Sequence, residues 1–418
     1  MKATVSLCMI VKNEEQFLPG CLESAQPFVD EIIIVDTGST DRTKEIALQY
    51  NAHLYQFSWN GNFSDARNES IKRATSDWIL YLDADERLTE GFRIREIVNN
   101  NSVFAYSLLI RGKHLLPSGE VEQVNAYPRL FRRHPKIFFE GEVHEQISPS
   151  LERLKKSIVA ASIVIEHLGY GQSLEIVQEK CRRNAALLEN QLAKNHRDHY
   201  ARYQLGNTFV VMQEYEQAEK HLRQVLSSSI GRSIKATACN LLVEICVKRN
   251  DLEIAVEWCK ESLRYINEQS MARWFLSGIL AHNKKYEDAL TLLKHLDKQY
   301  AIGKTQLAHD IVLTKTQIYE RMNYCYEMLS HDTFEAKNIE GAERWISEAE
   351  KNNIYSYSLQ RRGIETALTR KDIRSANSRL SYVINNLPEE FASQREKFSA
   401  IQEKLRHLSA AEKYLHYD

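Results

Sequence analysis

The first 170 residues of the chain alternate between short apolar runs and amphipathic stretches, which is typical of strands alternating with helices. The apolar runs of strand length lie at residues 4–11, 31–35, 53–57, 78–82, 103–110, 127–133 and 158–170. Strands that alternate with helices form mainly parallel sheets covered on both faces. The pattern therefore predicts an α/β fold for this region, with Ser39, Thr40 or Asp41 capping one helix and Ser64 or Asp65 capping another.

From Leu174 onward, apolar positions recur with helical spacing and strand-like runs are few. Alanine recurs with spacings of 37, 34, 53 and 34 residues, at Ala218, Ala255, Ala289, Ala342 and Ala376. Two of these intervals equal the 34-residue period of tetratricopeptide (TPR) repeats. The longest interval contains a predicted helical stretch from Gln306 to Ser330. The sequence therefore predicts two domains, an α/β domain at residues 1–172 and an all-α domain of TPR-like repeats at residues 173–418.

Polar and acidic residues follow the predicted strands, at the point where each strand ends. Asp36 follows the second strand, and Asp83-Ala84-Asp85-Glu86 follows the fourth. Ligands bind at this carboxyl edge in open α/β sheets, and carboxylates packed so closely favour a divalent cation or water. The glycine-rich Rossmann and P-loop motifs do not occur in the sequence. Asp36 could instead accept a hydrogen bond from a nucleotide base, and Arg67 could face a base or a phosphate.

Each of these residues also has a simple structural interpretation. Asp36 could form a turn, Arg67 could make a surface salt bridge, and the acidic segment after the fourth strand could be a solvated turn. All of these interpretations would have to hold together, whereas one nucleotide and metal site explains the whole set. The sequence therefore favours such a site.

Composition narrows the classes of function. The formal net charge is −1, and no basic stripe is interleaved with aromatic residues, so the sequence does not predict binding of nucleic acid. No signal-peptide pattern and no apolar run long enough to cross a membrane occurs, so we expect no transmembrane segment. The seven cysteines contain no CxxC pair, which favours reduced thiols and a cytoplasmic protein.

Four motifs, in this order, carry a resemblance to a known family: MIVKNEE, IIIVDTGSTD, FSDARN and WILYLDADE. This region resembles the nucleotide-sugar domain of family 2 glycosyltransferases, which have the GT-A fold with a Rossmann-like sheet. The resemblance implies donor-binding roles for Ile10, Val11, Asn13, Asp36, Arg67, Asp83, Ala84 and Asp85. Within this set, Asp36 and the segment from Ile10 to Asn13 would hold uracil, and Arg67 would face the nucleotide. Asp83 would contact the ribose and Asp85 the metal.

The same resemblance implies a catalytic carboxylate and a late histidine. It makes Glu145 the general base, with Glu140 and Glu142 as alternatives, because the acidic pair of the family's motif is replaced here by His144-Glu145. It makes His167 the metal ligand that joins Asp85 and Asp83, with His144 as the alternative. The implied metal is Mg²⁺ or Mn²⁺.

Across its whole length, the chain is similar to enzymes that pair a family 2 domain with a helical-repeat tail and glycosylate Cys or Ser of bacteriocin precursors. This similarity implies inverting transfer of a hexose from a UDP-sugar, such as UDP-glucose or UDP-N-acetylglucosamine, to a side chain of a peptide or protein. The helical tail would then dock the acceptor or form a homodimer. One alternative is an acceptor that is a cell-surface polysaccharide or other glycan. A second alternative is a non-catalytic TPR binding scaffold.

Overall fold

A computed structural model describes the following residues of the chain: 2–116, 119–168, 174–301, 313, 315–386 and 399–404. Within these residues the chain forms two compact units, one ending at Ala272 and the other beginning at Arg273. The first unit contains the sheet and the helices that follow it, and the second contains the later helices. Each unit is described by itself below.

The described residues of the first unit form a sheet of eight strands. The strands are β1 Val5–Val11, β2 Glu31–Asp36, β3 His53–Gln56, β4 Trp78–Tyr81, β5 Glu86–Leu88, β6 Ala105–Leu116, β7 Gly119–Arg132 and β8 Ile158–His167. Their spatial order is β3-β2-β1-β4-β7-β6-β8-β5. The first four strands in this order are parallel, whereas β7 is antiparallel to both β4 and β6. This arrangement confirms the predicted α/β fold with a mainly parallel sheet.

Helices cover the sheet, and one of their caps differs from the prediction. The helices are α1 Leu18–Ala25, α2 Thr43–Gln49, α3 Phe63–Arg73, α4 Ile94–Ile97 and α5 Ser148–Arg153. Asn62 caps α3, because its side chain accepts a hydrogen bond from the backbone N–H of Asp65 at 3.3 Å. The predicted caps Ser64 and Asp65 were therefore wrong, since both lie inside the helix. Just before α2, Asp41 accepts a hydrogen bond from the N–H of Thr43 at 3.0 Å, which satisfies one of the free donors of that helix.

Strand β5 is an element that the sequence did not predict. It pairs antiparallel with the end of β8, in the register Glu86↔His167, Arg87↔Glu166 and Leu88↔Ile165. The strand has 3 residues, which is too short for an alternation of apolar and polar positions to reveal it. Its pairing is important for the site, because it brings the end of β8 beside the loop that follows β4.

After β8 the chain is helical. The helices are α6 Leu174–Lys194, α7 His199–Val211, α8 Tyr215–Leu226, α9 Arg232–Lys248, α10 Leu252–Tyr265, α11 Ser270–His282, α12 Tyr286–Ala301, α13 Lys315–Glu335, α14 Ile339–Lys351, α15 Tyr357–Thr369 and α16 Ile373–Asn386. None of the helices in the described ranges is long and apolar enough to cross a membrane. The helices up to α10 belong to the same compact unit as the sheet, so the domain boundary at residues 172/173 stays a prediction.

The alanines that define the repeat occupy equivalent places, which agrees with the predicted TPR-like architecture. All five are fully buried, in the second helix of successive helix pairs: Ala218 in α8, Ala255 in α10, Ala289 in α12, Ala342 in α14 and Ala376 in α16. Five residues before each alanine, the backbone is left-handed with φ between 59° and 63°, at Gln213, Asn250, Lys284, Lys337 and Lys371. Glycine usually occupies such helix ends. The sequence therefore revealed the alanines but not these turns.

The long interval between Ala289 and Ala342 contains α13 Lys315–Glu335. The predicted helical stretch from Gln306 to Ser330 thus falls partly on this helix. Its residues before Lys315, apart from Leu313, lie outside the described residues.

Candidate functional site

A cavity of about 650 Å³ lies at the carboxyl edge of the sheet, beside the ends of β1 and β4. Ile10 and Val11 line it from β1, and Asp83, Ala84 and Asp85 line it from the loop after β4. In sheets of this type, the carboxyl ends of the parallel strands form the ligand-binding edge. These five residues, all predicted from the sequence to bind the donor, therefore share one cavity.

Asp85 and His167 form a close pair at one side of this cavity. The Nε2 atom of His167 lies 3.6 Å from Oδ2 of Asp85. The pairing of β5 with β8 produces this proximity, and the backbone N–H of Leu168 donates to the carbonyl of Asp85 at 2.8 Å. Burial lowers the pKa of His167, although the charge of Asp85 opposes that shift. The imidazole is therefore neutral near pH 7, which is the form that binds metals.

The residues around this pair fit a divalent cation that takes part of its ligands from a substrate. No group of three His, Cys, Asp or Glu side chains that could hold a metal ion occurs in the described part of the chain. Mg²⁺ commonly binds through one or two protein ligands and completes its shell with water and phosphate oxygens. Asp85 and His167 supply such a partial set. His144 also lines the cavity, but His167 is the histidine whose Nε2 lies 3.6 Å from Oδ2 of Asp85.

Arg67, on α3, binds two carboxylates at the cavity wall. Its Nη2 donates to Oδ1 of Asp83 at 2.7 Å, and its Nε donates to Oε1 of Glu145. The guanidinium carbon lies 5.1 Å from the centre of the Tyr81 ring. The interpretation of Arg67 as a surface salt bridge is wrong, because this side chain is only 9% exposed. The predicted contact of Arg67 with the nucleotide stays a prediction.

Arg129, on β7, makes a second set of contacts on the other side of Asp83. Its Nη2 donates to Oε1 of Glu86 at 2.8 Å, and its Nη1 lies 3.6 Å from Oδ2 of Asp83. Its guanidinium carbon is 4.3 Å from the centre of the Tyr81 ring. The sequence predicts a strand here but not this contact, because nothing in the local pattern identifies the partner of a buried arginine.

Together, Arg67, Arg129, Asp83, Glu86 and Glu145 form a chain of contacts that we call the ion-pair network. Burial alone would raise the pKa of Asp83, but the charges of Arg67 and Arg129 outweigh it and hold this pKa well below its usual range. Asp83 therefore stays ionised, and both of its oxygens face arginine nitrogens. This leaves Asp85 as the carboxylate of the loop that is better placed to bind a metal.

The three glutamates considered as general base differ in position. Glu145 lines the cavity. Glu140 instead accepts hydrogen bonds from the exposed Arg153, one of them at 3.0 Å from Nη1. Glu142 lies 2.5 Å from Nζ of Lys194. Of the three, Glu145 is the one that a substrate in the cavity could reach.

Asp36 and Asn13 are not among the residues that line the cavity. The carboxylate of Asp36 accepts hydrogen bonds from the backbone N–H groups of Gly38 and Ser39, each at 3.1 Å. Asn13 Oδ1 accepts a hydrogen bond from the N–H of Thr40 at 2.8 Å. Both side chains thus shape the turn after β2, whose Thr37 does line the cavity. Their predicted contact with uracil stays a prediction.

Glu14 lines the cavity but was not predicted as a site residue. Burial raises its pKa to about 7, and the nearby charges of Asp85, Asp83 and Asp41 contribute to that rise. The signal was present in the sequence, because Glu14 belongs to the motif MIVKNEE. Sequence reasoning took only the apolar residues and Asn13 from that motif.

The first two helices after the sheet also line the cavity. Lys180, Arg183 and Asn184 contribute from α6, and Tyr200 and Gln204 contribute from α7. The sequence predicts only docking or dimerisation roles for the helical region. No sequence pattern indicates these residues, because their position depends on how α6 packs against the loops of the sheet.

Part of the sheet region matches a known protein family, and the chain has named relatives. Residues 6–106 match the sequence model of Glycosyl transferase family 2. A TPR repeat-containing protein of Synechococcus elongatus is 36% identical over 273 residues, which cover 63% of this chain and 66% of that protein. The SPbeta prophage-derived glycosyltransferase SunS of Bacillus subtilis is 26% identical over 235 residues, covering 54% of each. The matched region thus spans between about half and two thirds of the length of these relatives.

A solved structure gives a weaker match. The glucosyl-3-phosphoglycerate synthase of Mycobacterium tuberculosis, solved with Mn²⁺, UDP and phosphoglyceric acid, has a TM-score of 0.32 and 16% identity. The match covers 42% of this chain and 73% of that chain. At this level of similarity nothing about ligands follows for this protein, so the assignment of the donor rests on the residues of the cavity.

Proposed function

This chain carries a family 2 glycosyltransferase domain, and from that premise we propose that it is a metal-dependent inverting glycosyltransferase. The proposed reaction moves a hexose from a UDP-sugar to a Cys or Ser side chain of a peptide or protein. One observation carries the proposal: the Asp85–His167 pair, with 3.6 Å between Oδ2 and Nε2, lies in a cavity at the ligand-binding edge of the sheet.

Asp85 and His167 would hold Mg²⁺ or Mn²⁺ together with the phosphate oxygens of the donor. When bound, such an ion supplies Lewis-acid stabilisation of the negative charge that develops on the leaving diphosphate. Asp83, kept ionised by its arginines, would accept hydrogen bonds from the ribose hydroxyls. The ends of β1, at Ile10 and Val11, would form the apolar wall beside the uracil.

Glu145 is the proposed general base. The acceptor hydroxyl or thiol attacks the anomeric carbon from the face opposite the diphosphate, and Glu145 takes its proton. The bond from Arg67 occupies Oε1 of Glu145, so Oε2 can receive the proton while Arg67 keeps the carboxylate oriented. A single displacement of this kind inverts the anomeric centre.

The peptide acceptor is supported by the helical part of the chain. In the second unit, the tyrosines Tyr324, Tyr355 and Tyr357 expose 47%, 48% and 39% of their surfaces. Exposed aromatic residues of this kind are enriched where proteins bind other chains. Tyr326, by contrast, is fully buried and belongs to the packing of the helices.

The test is an incubation of the purified full chain with UDP-glucose or UDP-N-acetylglucosamine, Mn²⁺ and peptides that contain Cys or Ser. We expect release of UDP and an intact-mass increase on the peptide of one hexose unit from UDP-glucose or one N-acetylhexosamine unit from UDP-N-acetylglucosamine. Transfer to a polysaccharide fraction but to no peptide would overturn the proposed acceptor. If the chain neither binds nor hydrolyses any nucleotide sugar, the proposed enzymatic activity is wrong and the alternative of a non-catalytic binding scaffold is supported.

A further inference from the structure

The two halves of helix α6 make different contacts. In the C-terminal half, Oε1 of Gln191 accepts a hydrogen bond from the N–H of Glu142 at 2.7 Å, and Nζ of Lys194 lies 2.5 Å from Oε1 of Glu142. Leu188 packs in the same apolar cluster as Val143. These contacts fix the helix to the loop that follows β7 and carries the proposed base.

The N-terminal half of α6 faces the cavity. Residues that are three and four positions apart lie on one face of a helix. Lys180, Arg183 and Asn184 have this spacing, and all three line the cavity. Because the C-terminal half is fixed to the sheet domain, this face is held at the cavity, where Lys180 and Arg183 remain exposed to solvent.

The two cations on this face differ from the arginines deeper in the wall. Arg67 and Arg129 each bind two carboxylates. Lys180 and Arg183 have no carboxylate within 4.0 Å among the described residues. Among the described residues, these two cations therefore have no ion-pair partner, which suits them to contact an anionic ligand.

Contacts and electrostatic effects locate these two cations at the cavity. Burial raises the pKa of Glu14 to about 7, and the charge of Lys180 opposes that rise. The guanidinium carbon of Arg183 lies 5.5 Å from the centre of the Phe63 ring, and Phe63 also lines the cavity. Lys180 thus acts on Glu14, and Arg183 lies at the part of the wall that Phe63 forms.

We propose that Lys180 and Arg183 bind the diphosphate of the nucleotide sugar, so that the first helix after the sheet is part of the donor site. This inference rests on the proposed function, because the donor is what brings a diphosphate to Asp85 and His167. When the bond between diphosphate and sugar breaks, additional negative charge appears on the phosphate oxygens. Two positioned cations would stabilise that charge beyond what a metal ion supplies.

The test measures binding of UDP by calorimetry in the presence of Mn²⁺, with the full chain. The variants are Lys180→Gln, Arg183→Gln and the double variant. The matched control is Arg182→Gln, which changes an exposed arginine of the same helix that is not part of the cavity lining. We expect each single variant to weaken UDP binding about tenfold, as for loss of one charge-assisted hydrogen bond, and the control to bind as the wild type does.

The possible results of this experiment test the role of α6 and the proposed donor site separately. Failure of the wild type to bind UDP would overturn the donor site itself. Equal affinity for UDP in the wild type and the double variant would overturn the role of α6 alone. Normal UDP affinity in the double variant with a raised KM for the acceptor would show that the cations serve an anionic acceptor instead, which also contradicts the proposal. A melting temperature equal to that of the wild type ensures that a loss of binding is not a loss of folding.

Discussion

The carboxylates at and behind the cavity lining fall into two sets according to their partners, and we call the set paired with arginine the inner wall and the set without an arginine partner the mouth. On the inner wall, Asp83, Glu86 and Glu145 each contact at least one arginine, and Glu86 is fully buried. At the mouth, Oδ2 of Asp85 lies 3.6 Å from Nε2 of the neutral imidazole of His167. Glu14 has no basic side chain within 4.0 Å among the described residues.

This difference separates two uses of negative charge. A buried carboxylate that is paired with arginine contributes to the fold, because removal of either partner leaves an uncompensated charge. A carboxylate with few partners keeps its lone pairs for a ligand. On this comparison, substitutions on the inner wall should cost stability, whereas substitutions at the mouth should cost binding or activity.

Glu145 gives the largest expected effect, because it belongs to both classes. It is paired with Arg67, and it is also the proposed base. We expect Glu145→Gln to lower kcat for a hydroxyl acceptor by about 10²–10⁴-fold. A thiol acceptor should lose less, since a thiol ionises near pH 8.5 and needs the base less. Steady-state kinetics on matched Ser and Cys peptides measure both losses.

The control for this prediction is Glu140→Gln, which changes a glutamate outside the cavity lining. It should retain the activity of the wild type. If Glu145→Gln stays within a few-fold of the wild type on a Ser peptide, Glu145 is only a wall residue and the base is a different group.

Substitution of Arg129 tests whether the ion pairs of the inner wall stabilise the fold. Arg129→Met removes the partner of the fully buried Glu86. We expect the free energy of unfolding to fall by about 3–5 kcal/mol, because the carboxylate is left buried and unpaired. Denaturant titration measures the change. The double variant Arg129→Met, Glu86→Leu should recover part of the loss, and a single variant as stable as the wild type would contradict the structural role.

Substitution of Glu14, a carboxylate of the mouth, should change the pH dependence of stability, and this is the smallest of the expected effects. Its pKa is raised from 4.5 to about 7 in the folded chain, so the folded state favours the protonated form. The associated stability is fully present below pH 4.5 and is lost as pH rises through 7. Glu14→Gln should therefore lose less stability than the wild type between pH 5 and pH 8. Melting temperatures across this range provide the measurement, and identical pH dependence in both proteins would show that Glu14 is not perturbed.

Much of the fold could be predicted from the sequence, because it follows from periodic patterns. The strand β4, which precedes Asp83 and Asp85, belongs to a continuous apolar run, and the buried alanines from Ala218 to Ala376 recur with the spacing of the helix pairs. Such patterns are local, so they survive without knowledge of contacts. The cap at Asn62 was missed by two residues, since several adjacent polar residues could have served.

The site was only partly predictable, because its remaining features depend on contacts between distant residues. His167 approaches Asp85 through β5, whose three residues carry no periodic signal. Arg129 meets Glu86 across the sheet, and Lys180 reaches the cavity through the packing of α6. None of these contacts follows from spacing along the chain.

The most direct test of the account is the metal dependence of UDP binding at Asp85. UDP affinity is measured by calorimetry with Mn²⁺ and with EDTA, for the wild type and for Asp85→Asn. We predict that Mn²⁺ strengthens UDP binding to the wild type by at least about tenfold, and that Asp85→Asn loses this difference while it keeps the melting temperature of the wild type. If Asp85→Asn binds UDP with the same gain from Mn²⁺ as the wild type does, the metal site is not at Asp85 and the central claim is wrong.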